Sequence, residues 1–253
     1  SRVIIITELM NGRALSASCL GLATSAMAEQ THWGYQGDNA PENWGNLPDA
    51  QTCASGKTQS PIDIFDSKNN KQLPALKFNY QHADIKQIID NGHSLQFNFD
   101  ANSTFSYENK TYKLVQFHAH EPAEHTINGV HYPLELHFVH QAADHSNLVI
   151  AVFVQEGKEN SYFEKLSVFK QLAKNSSENT DILFNPEHIY PKNHSYYRYT
   201  GSLTTPPCSE PVTWILFRQP ITLSKDEIEE ISHYLPKNNN RPVQPLNNRI
   251  IEN

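Results

Sequence analysis

The sequence has little of what marks several specialised classes of protein. Its 253 residues include only 3 cysteines and 10 glycines, which excludes a small cysteine-rich scaffold and a collagen-like chain. No apolar run reaches the roughly eighteen residues that a membrane span requires, so no transmembrane segment is predicted. The net charge is -7, and the basic residues form no long run, which argues against a nucleic-acid partner.

Residues 1–28 differ in character from the rest of the chain. Arg13 precedes the small, apolar stretch ALSASCLGLATSAMA, and Ala26–Ala28 completes an A-x-A end. This pattern predicts a secretory signal peptide cleaved after Ala28, and therefore a periplasmic or secreted protein. The preceding SRVIIITELMNG has no assignment, although Met10 is a candidate start. The alternative is a short apolar helix or strand of the mature protein.

Export bears on the three cysteines. Removal of the leader would take away Cys19 and leave Cys53 and Cys208, an even number in an oxidising compartment. We therefore predict a Cys53–Cys208 disulfide, which would close a long loop and stabilise the fold by about 4 kcal/mol in the chain-entropy description. Two buried free thiols are the alternative.

The sequence from residue 29 to residue 253 shows no repeat and no linker, and predicts one domain rich in strands. Alternating or continuous apolar, β-branched and aromatic residues predict strands over 93–100, 111–120, 131–140, 147–157 and 212–221. The run LVIAVFV (148–154) is apolar on both faces, which is typical of a central strand.

Two segments carry helix signals. Ser161 and Ser224 each begin an S-x-x-E capping box, and apolar residues follow both at helical spacing. We predict helices over 161–174 and 224–235 that pack on the sheet. The expected architecture is a large twisted sheet with peripheral helices and long loops.

The histidines are concentrated in one part of the chain. Six of the 13 lie in the stretch QFHAHEPAEHTINGVHYPLELHFVH, where His118 and His120, two apart on a strand, point to the same face. The turn signal Asn128-Gly129 precedes the next strand, and antiparallel pairing would bring His137 beside them. Three imidazoles on a sheet suit zinc, and a fourth position left to water is typical of a catalytic site. The alternative is a set of ordinary surface or core histidines.

The segments around these histidines, together with others along the chain, resemble the α-class carbonic anhydrases. The matching segments are QFHAH (116–120), EHT (124–126), LELHFVH (134–140), HWGY (32–35), QSPIDI (59–64), NGHSLQF (91–97), GSLTTPP (201–207), VTW (212–214) and RPVQPLNNR (241–249). The resemblance covers residues 31–251, and the short EPAEH after His120 is similar to the exported bacterial branch. It implies a mixed α/β fold dominated by β-structure: a single domain with a mostly antiparallel twisted sheet of about ten strands and peripheral helices.

The resemblance implies an enzyme, a zinc-dependent carbonic anhydrase. Such an enzyme hydrates CO2 reversibly to bicarbonate and a proton through attack by a zinc-bound hydroxide. The resemblance gives Zn²⁺ as cofactor and His118, His120 and His137 as its ligands. It also implies inhibition by sulfonamides and anions, and promiscuous ester hydrolysis. The exported branch includes dimers, so a homodimer is one expected state, although the sequence leaves the oligomeric state open.

The other site residues are implied by the same resemblance. By role they are Thr204 and Glu124 for orienting the hydroxide; Gln116, Glu135 and the Asn239 carbonyl for hydrogen bonds to the ligands; Val139, Val149, Leu203, Thr205 and Trp214 for substrate binding; His93 for proton transfer; and Tyr35, Asn91, Gln96 and again Thr205 for the connecting waters. Taken singly, each residue has an ordinary alternative in a turn, in the core or on the surface.

Two positions depart from the family pattern. Ala119 stands where relatives often carry a bulky aromatic residue, and Asn240 where they often carry tryptophan. Ala119 faces away from the predicted metal, so it concerns the packing behind the site. His125 and His140 are expected to be buried structural histidines.

Two other functions remain as alternatives: a non-catalytic binding module, which would typically lack a zinc ligand, and a zinc hydrolase or zinc-carrying protein.

Overall fold

The structure is a computed structural model and describes residues 32–253. The predicted leader over 1–28, with its cleavage site and Cys19, lies outside the described residues. Within residues 32–253, no helix is both long enough and apolar enough to cross a membrane.

The described residues are organised mainly as strands. The strands are β1 (Asp63–Ile64), β2 (Lys77–Asn79), β3 (Asp84–Asp90), β4 (Leu95–Phe99), β5 (Thr104–Tyr107), β6 (Lys110–His120), β7 (Thr126–Ile127), β8 (Leu134–Ala142), β9 (Asn147–Glu156), β10 (Ser177–Leu183), β11 (Tyr196–Gly201), β12 (Val212–Phe217) and β13 (Ile221–Leu223). The α-helices are α1 (Thr52–Ser55) and α2 (Lys225–His233), and 3₁₀ helices cover Gly37–Asn39, Pro41–Asn46, Ser161–Gln171 and Pro186–His188.

One large sheet contains 11 of these strands. Its main path runs β10-β3-β4-β6-β8-β9-β12-β11, with β5 paired to β6, β2 paired to β5 and β13 paired to β9. Neighbouring strands are antiparallel, except that β12 and β13 run parallel to β9. Strands β1 and β7 form a separate parallel pair. The predicted fold class, a β-dominated and mostly antiparallel sheet, is confirmed.

Strand β9 separates two apolar cores. Every residue from Leu148 to Val154 is buried. Its even-numbered side chains pack with Phe117 and Phe138 in one core, and its odd-numbered ones pack with Trp214 in the other. Because successive side chains of a strand point to opposite faces, a strand that is apolar throughout must be covered on both sides. The central position predicted for this run is confirmed.

The first predicted helix differs from the expectation. Residues Ser161–Gln171 form a 3₁₀ helix, and Asn160 caps it by accepting the Tyr162 backbone N–H at 3.1 Å. The capping box predicted at Ser161 is therefore wrong. Its buried residues Phe163, Leu166 and Phe169 recur every third position, which matches three residues per turn better than 3.6.

Two predicted strands have boundaries that differ from those observed, whereas the second predicted helix is confirmed. The strand predicted over 212–221 is split into β12 and β13, because Pro220 has no N–H to donate to a ladder. The strand predicted from residue 131 begins at Leu134, just after Pro133. At α2, Ser224 and Glu227 form the capping box that the sequence predicted.

Candidate metal centre

Strands β6 and β8 carry the histidine cluster. They pair antiparallel with His118 opposite His137, and His120 lies two residues further along β6, so all three imidazoles stand on one face. On the opposite face, Phe117 and Phe138 stack in the apolar core with ring centroids 5.0 Å apart. The predicted pairing is confirmed. A slip of one residue would bury the imidazoles in that core and expose the phenyl rings, so packing fixes the register.

The three imidazoles converge on one point. Nε2 of His118 lies 3.1 Å from Nε2 of His120, and one ring nitrogen of each of the three histidines lies within 4.8 Å of the others. The outer nitrogens face acceptors, which are Gln116 Oε1 for His118 at 2.8 Å, the Asn239 carbonyl for His120 at 2.6 Å, and Glu135 Oε2 for His137. Because these groups accept hydrogen bonds, each outer nitrogen carries the proton and each inner one presents a lone pair. Three converging nitrogen lone pairs fit a divalent metal that prefers imidazole.

Burial sets the charges of this cluster. Burial and the charges of His120 and His137 hold the pKa of His118 well below its ordinary value, and burial also lowers the pKa of His120. For Glu135, burial alone would raise the pKa, but the charges and hydrogen bonds of His125 and His137 outweigh it and lower the pKa. Neutral imidazoles are therefore favoured at His118 and His120, beside an ionised Glu135, and metal binding requires ligands in such deprotonated forms.

Glu124 is a fully buried carboxylate beside His120. Its Oε2 accepts the backbone N–H of Arg241 at 2.7 Å. Its Oε1 lies 3.2 Å from His120 Nε2 and forms no hydrogen bond within residues 32–253. Thr204 is also buried, yet it gives no hydrogen bond to this oxygen. An unsatisfied buried acceptor is costly, by about 1–3 kcal/mol, so Glu124 Oε1 is poised to take a donor.

The predicted apolar residues meet beside the histidines. Val149 on β9 and Trp214 on β12 are paired in register and are both buried. Val139 and Leu203 pack against the same apolar cluster. The ring centroid of Trp214 lies 5.0 Å from that of His137. An apolar wall therefore adjoins the imidazole cluster.

The polar residues predicted for proton transfer fall into two contact groups. His93 lies in the turn before β4 and stacks on Trp33, with centroids 3.6 Å apart and an interplanar angle of 9°. Tyr35 packs edge-on against the same indole, and burial raises the pKa of its phenol well above the ordinary value. Separately, Asn91 Nδ2 donates to Gln96 Oε1 at 3.3 Å.

A disulfide anchors the loop that carries Thr204 and Thr205. Cys53 and Cys208 are bonded, with Cα atoms 5.0 Å apart, which confirms the predicted pairing. The Cys208 N–H donates to the Thr205 carbonyl at 2.8 Å. Gln59 Nε2 donates to the Cys208 carbonyl at 3.1 Å. The loop is therefore held both by α1 and by the segment that leads into β1.

A second group with ligand atoms within 4.8 Å of one another comprises His125, Glu135 and His137. Here the ring nitrogens of both histidines face the Glu135 carboxylate at hydrogen-bond distance, so they act as N–H donors and offer no lone pair between them. This group supports the cluster of His118, His120 and His137. His125 and His140 are fully buried, as predicted.

The structure adds three residues for which no role was predicted from the sequence. Trp33 supports His93, the Arg241 backbone N–H holds Glu124, and the Tyr199 hydroxyl lies at hydrogen-bond distance from a buried histidine. Trp33 and Arg241 belong to the matching segments HWGY and RPVQPLNNR, so the sequence contained a signal for them. Tyr199 precedes GSLTTPP and has the appearance of an ordinary strand tyrosine.

Together the sheet and the imidazole cluster define a class of β-sheet protein with three converging histidines that could hold a metal ion. The model of the eukaryotic-type carbonic anhydrase family matches residues 39–253. The chain therefore belongs to the eukaryotic-type carbonic anhydrase family, which is a family of enzymes.

Similar proteins agree with this assignment along nearly the whole chain. The carbonic anhydrase of Pectobacterium carotovorum is 40% identical over 246 residues, which cover 96% of this chain and 99% of the relative. That of Neisseria gonorrhoeae is 38% identical over 240 residues, 94% of each chain. The α-carbonic anhydrase of Thermovibrio ammonificans, solved with the inhibitor sulfanilamide, aligns with a TM-score of 0.83 and 40% identity, covering 88% of this chain and 99% of the other. The family that the sequence motifs implied is confirmed.

Proposed function

We propose that this protein is a zinc-dependent carbonic anhydrase that reversibly hydrates CO2 to bicarbonate and a proton. The observation that carries the proposal is the convergence of ring nitrogens from His118, His120 and His137, each with its other nitrogen on an acceptor. This donor set suits zinc with one open coordination position, as catalytic zinc sites require. Membership of the family supports the same assignment.

The ligating atoms follow from the hydrogen bonds of the cluster. His118 and His120 would hold zinc through Nε2, and His137 through Nδ1, because their other nitrogens face acceptors. Those acceptors would keep each ring in the ligating tautomer. Bound zinc supplies a water whose pKa is lowered to about 7, a value for which carbonic anhydrase is itself the reference case.

Thr204 and Glu124 would orient the reacting water. Glu124 Oε1 is a buried acceptor without a hydrogen bond in the described residues, and it would accept a hydrogen bond from the Thr204 hydroxyl. The Thr204 oxygen would then accept a hydrogen bond from the reacting water. This would direct one lone pair of the water to the substrate and disfavour anions that cannot donate a hydrogen bond.

The apolar surface beside the histidines indicates the substrate class, and a similar enzyme indicates the inhibitor class. Val139, Val149, Leu203 and Trp214 offer apolar surface, which suits a small nonpolar molecule such as CO2. The Thermovibrio ammonificans enzyme binds the inhibitor sulfanilamide. We therefore expect sulfonamides and small anions to inhibit this protein as well.

His93 would carry the released proton to solvent. An imidazole exchanges protons near neutral pH, and His93 is half-buried against Trp33, between solvent and the protein interior. Tyr35, Asn91, Gln96 and Thr205 would order the waters between this ring and the metal centre.

The compartment and domain limits belong to the same proposal. Residues 29–253 would form the catalytic domain, and residues 1–28 a signal peptide that is removed on export to the periplasm or the medium. The Cys53–Cys208 disulfide supports an oxidising compartment. A homodimer and promiscuous ester hydrolysis stay predictions.

The test is CO2 hydration, measured by stopped flow with a pH indicator on protein of known zinc content. We expect one zinc per chain and fast hydration, both lost in His118→Ala, with hydration also abolished by a sulfonamide. The matched control His131→Ala removes an exposed histidine outside the cluster and should change neither. Zinc without hydration would favour a binding or zinc-carrying protein, and absence of zinc would contradict the metal centre.

A further inference from the structure

Glu135 is hydrogen-bonded to a second buried histidine besides His137. Its Oε1 accepts the backbone N–H of His125 at 2.9 Å, and its Oε2 lies 2.8 Å from His125 Nδ1 and also contacts His137 Nε2. An ionised carboxylate is an acceptor only, so His125 Nδ1 must carry a proton. His125 is fully buried, so its Nε2 also needs a hydrogen-bond partner inside the protein.

Tyr199 is the hydrogen-bond partner of His125 Nε2 and continues the chain of hydrogen bonds. Its hydroxyl oxygen lies 2.6 Å from His125 Nε2 and 2.7 Å from Ser60 Oγ. The Tyr199 hydroxyl therefore bridges His125 and Ser60 and gives both buried groups a hydrogen-bond partner.

The chain of hydrogen bonds then reaches the loop that carries Thr204. Ser60 Oγ accepts the Ser202 N–H at 3.0 Å, and Ser202 Oγ accepts the Ser60 N–H at 2.8 Å. Ser202 Oγ also donates to the carbonyl of Leu203 at 2.8 Å, directly before Thr204. One run of hydrogen bonds therefore joins the partner of His137 to the backbone beside Thr204.

The side chains that form this run of hydrogen bonds are closely packed. Ser60, His125, Tyr199 and Ser202 are all buried. A Cβ at Gly201 would lie 2.0 Å from Ser60 Oγ and 2.8 Å from Tyr199 Cε2, so any larger residue there would push the two hydroxyl-bearing side chains apart. Close packing restricts both side chains to the rotamers that make these hydrogen bonds.

We infer that Tyr199 and Ser60 are positioning residues for the metal centre. They hold the ring of His125 in place, His125 holds the Glu135 carboxylate, and Glu135 in turn holds His137 with Nδ1 directed to the metal position. The inference rests on the proposed function, because it takes His137 to be a metal ligand. It assigns a purpose to the serine of QSPIDI and to a tyrosine that lies outside the matching segments.

The test uses Tyr199→Phe, which removes the hydroxyl and keeps the ring. His125 Nε2 would lose its hydrogen-bond partner, and the ring would be less firmly held against Glu135. We expect the Kd for zinc, measured by competition with a chromophoric chelator, to rise by about tenfold or more, as for other residues that support metal-binding histidines. Ser60→Ala, one step further away, should raise the Kd in the same direction by a smaller factor.

The matched control is Tyr80→Phe. The Tyr80 hydroxyl lies 2.5 Å from Nε2 of the buried His140, so this variant removes the same kind of hydrogen bond from the other core. It should destabilise the protein in urea without changing the Kd for zinc. An equal Kd in Tyr199→Phe, Ser60→Ala and Tyr80→Phe would overturn the inference. If Tyr199→Phe fails to fold, the Kd values of Ser60→Ala and Tyr80→Phe decide whether the inference stands. A wild-type protein that binds no zinc would instead overturn the proposed function.

Discussion

The imidazole of His93 lies flat on the indole of Trp33, with ring centroids 3.6 Å apart and planes 9° from parallel. The ring of His32 is 6.1 Å from that of His93. Partial burial, together with the charge of His32, lowers the pKa of His93 below its ordinary value. At neutral pH the ring is therefore mostly uncharged, which is the form that accepts a proton.

His93→Ala tests the proton-transfer role. We expect turnover of CO2 hydration to fall by about tenfold or more in weak buffer, because a positioned proton carrier has been removed. High imidazole in solution should restore much of that loss. His82→Ala, which removes an exposed histidine, is the control and should have no effect. An equal loss in weak buffer and in imidazole would rule out the shuttle.

Thr204→Val tests the orienting hydroxyl. Valine keeps the shape of threonine but cannot donate to Glu124 Oε1, so we expect kcat/KM to fall by about 100-fold while zinc content stays unchanged. Thr204→Ser keeps the hydroxyl and should retain most activity. Steady-state CO2 hydration and metal analysis of both variants check this, and a fully active Thr204→Val enzyme would contradict the role.

Reduction of the disulfide should destabilise the fold. Cys53 and Cys208 are separated by 155 positions in the chain, and closing so long a loop stabilises the fold by about 4–5 kcal/mol in the chain-entropy description. We expect the double variant Cys53→Ser, Cys208→Ser to unfold at a temperature lower by roughly 10 °C. A reductant should lower the Tm of the wild type similarly and leave that of the variant unchanged. Equal Tm values for oxidised wild type and variant would refute this prediction.

His140 should make the protein sensitive to acid. Burial lowers the pKa of His140 to about 4, whereas in the unfolded chain it is about 6.5. The unfolded state therefore binds the proton first: the stabilisation is complete above pH 6.5 and is lost as the pH falls toward 4, by about 2 kcal/mol at pH 5.

Urea unfolding at pH 7 and at pH 5 checks this. The free energy of unfolding should fall less between the two pH values in His140→Gln than in the wild type, by about 2 kcal/mol. Any zinc lost at low pH affects both proteins alike, so their difference isolates His140. His82→Gln should follow the wild type. Identical pH dependence in wild type and His140→Gln would show that His140 does not set the acid limit.

Ala119 offers a route to a more stable protein. It faces away from the histidine cluster and lines an apolar cavity together with Phe97, Phe117, Phe169 and Ile231. Ala119→Val adds a β-branched side chain on a strand and fills part of this space, so we expect about 1 kcal/mol of added stability. The Kd for zinc should not change. A loss of stability in urea would mean that the cavity cannot admit the two extra methyl groups.

Local chain geometry made a large part of this protein predictable from its sequence. Strand alternation placed His118 and His120 on one face, and the apolar run of β9 indicated a strand covered on both sides, because side chains alternate with a period of two along a strand. The cysteine count indicated the disulfide. The same reasoning failed where the local signal was ambiguous, as at Phe163 and Leu166, whose spacing of three fits both an α-helix and the observed 3₁₀ helix.

Only the tertiary structure decided how the histidine cluster is supported. His120 takes its acceptor from Asn239, 119 residues away, and Glu124 is held by the backbone of Arg241, 117 residues away. The family motifs named some of these residues, but no periodicity predicts that Tyr199 meets His125. Such contacts join segments that are far apart in the chain. Their distances depend on how those segments pack, so local residue patterns predict the strands but not these contacts.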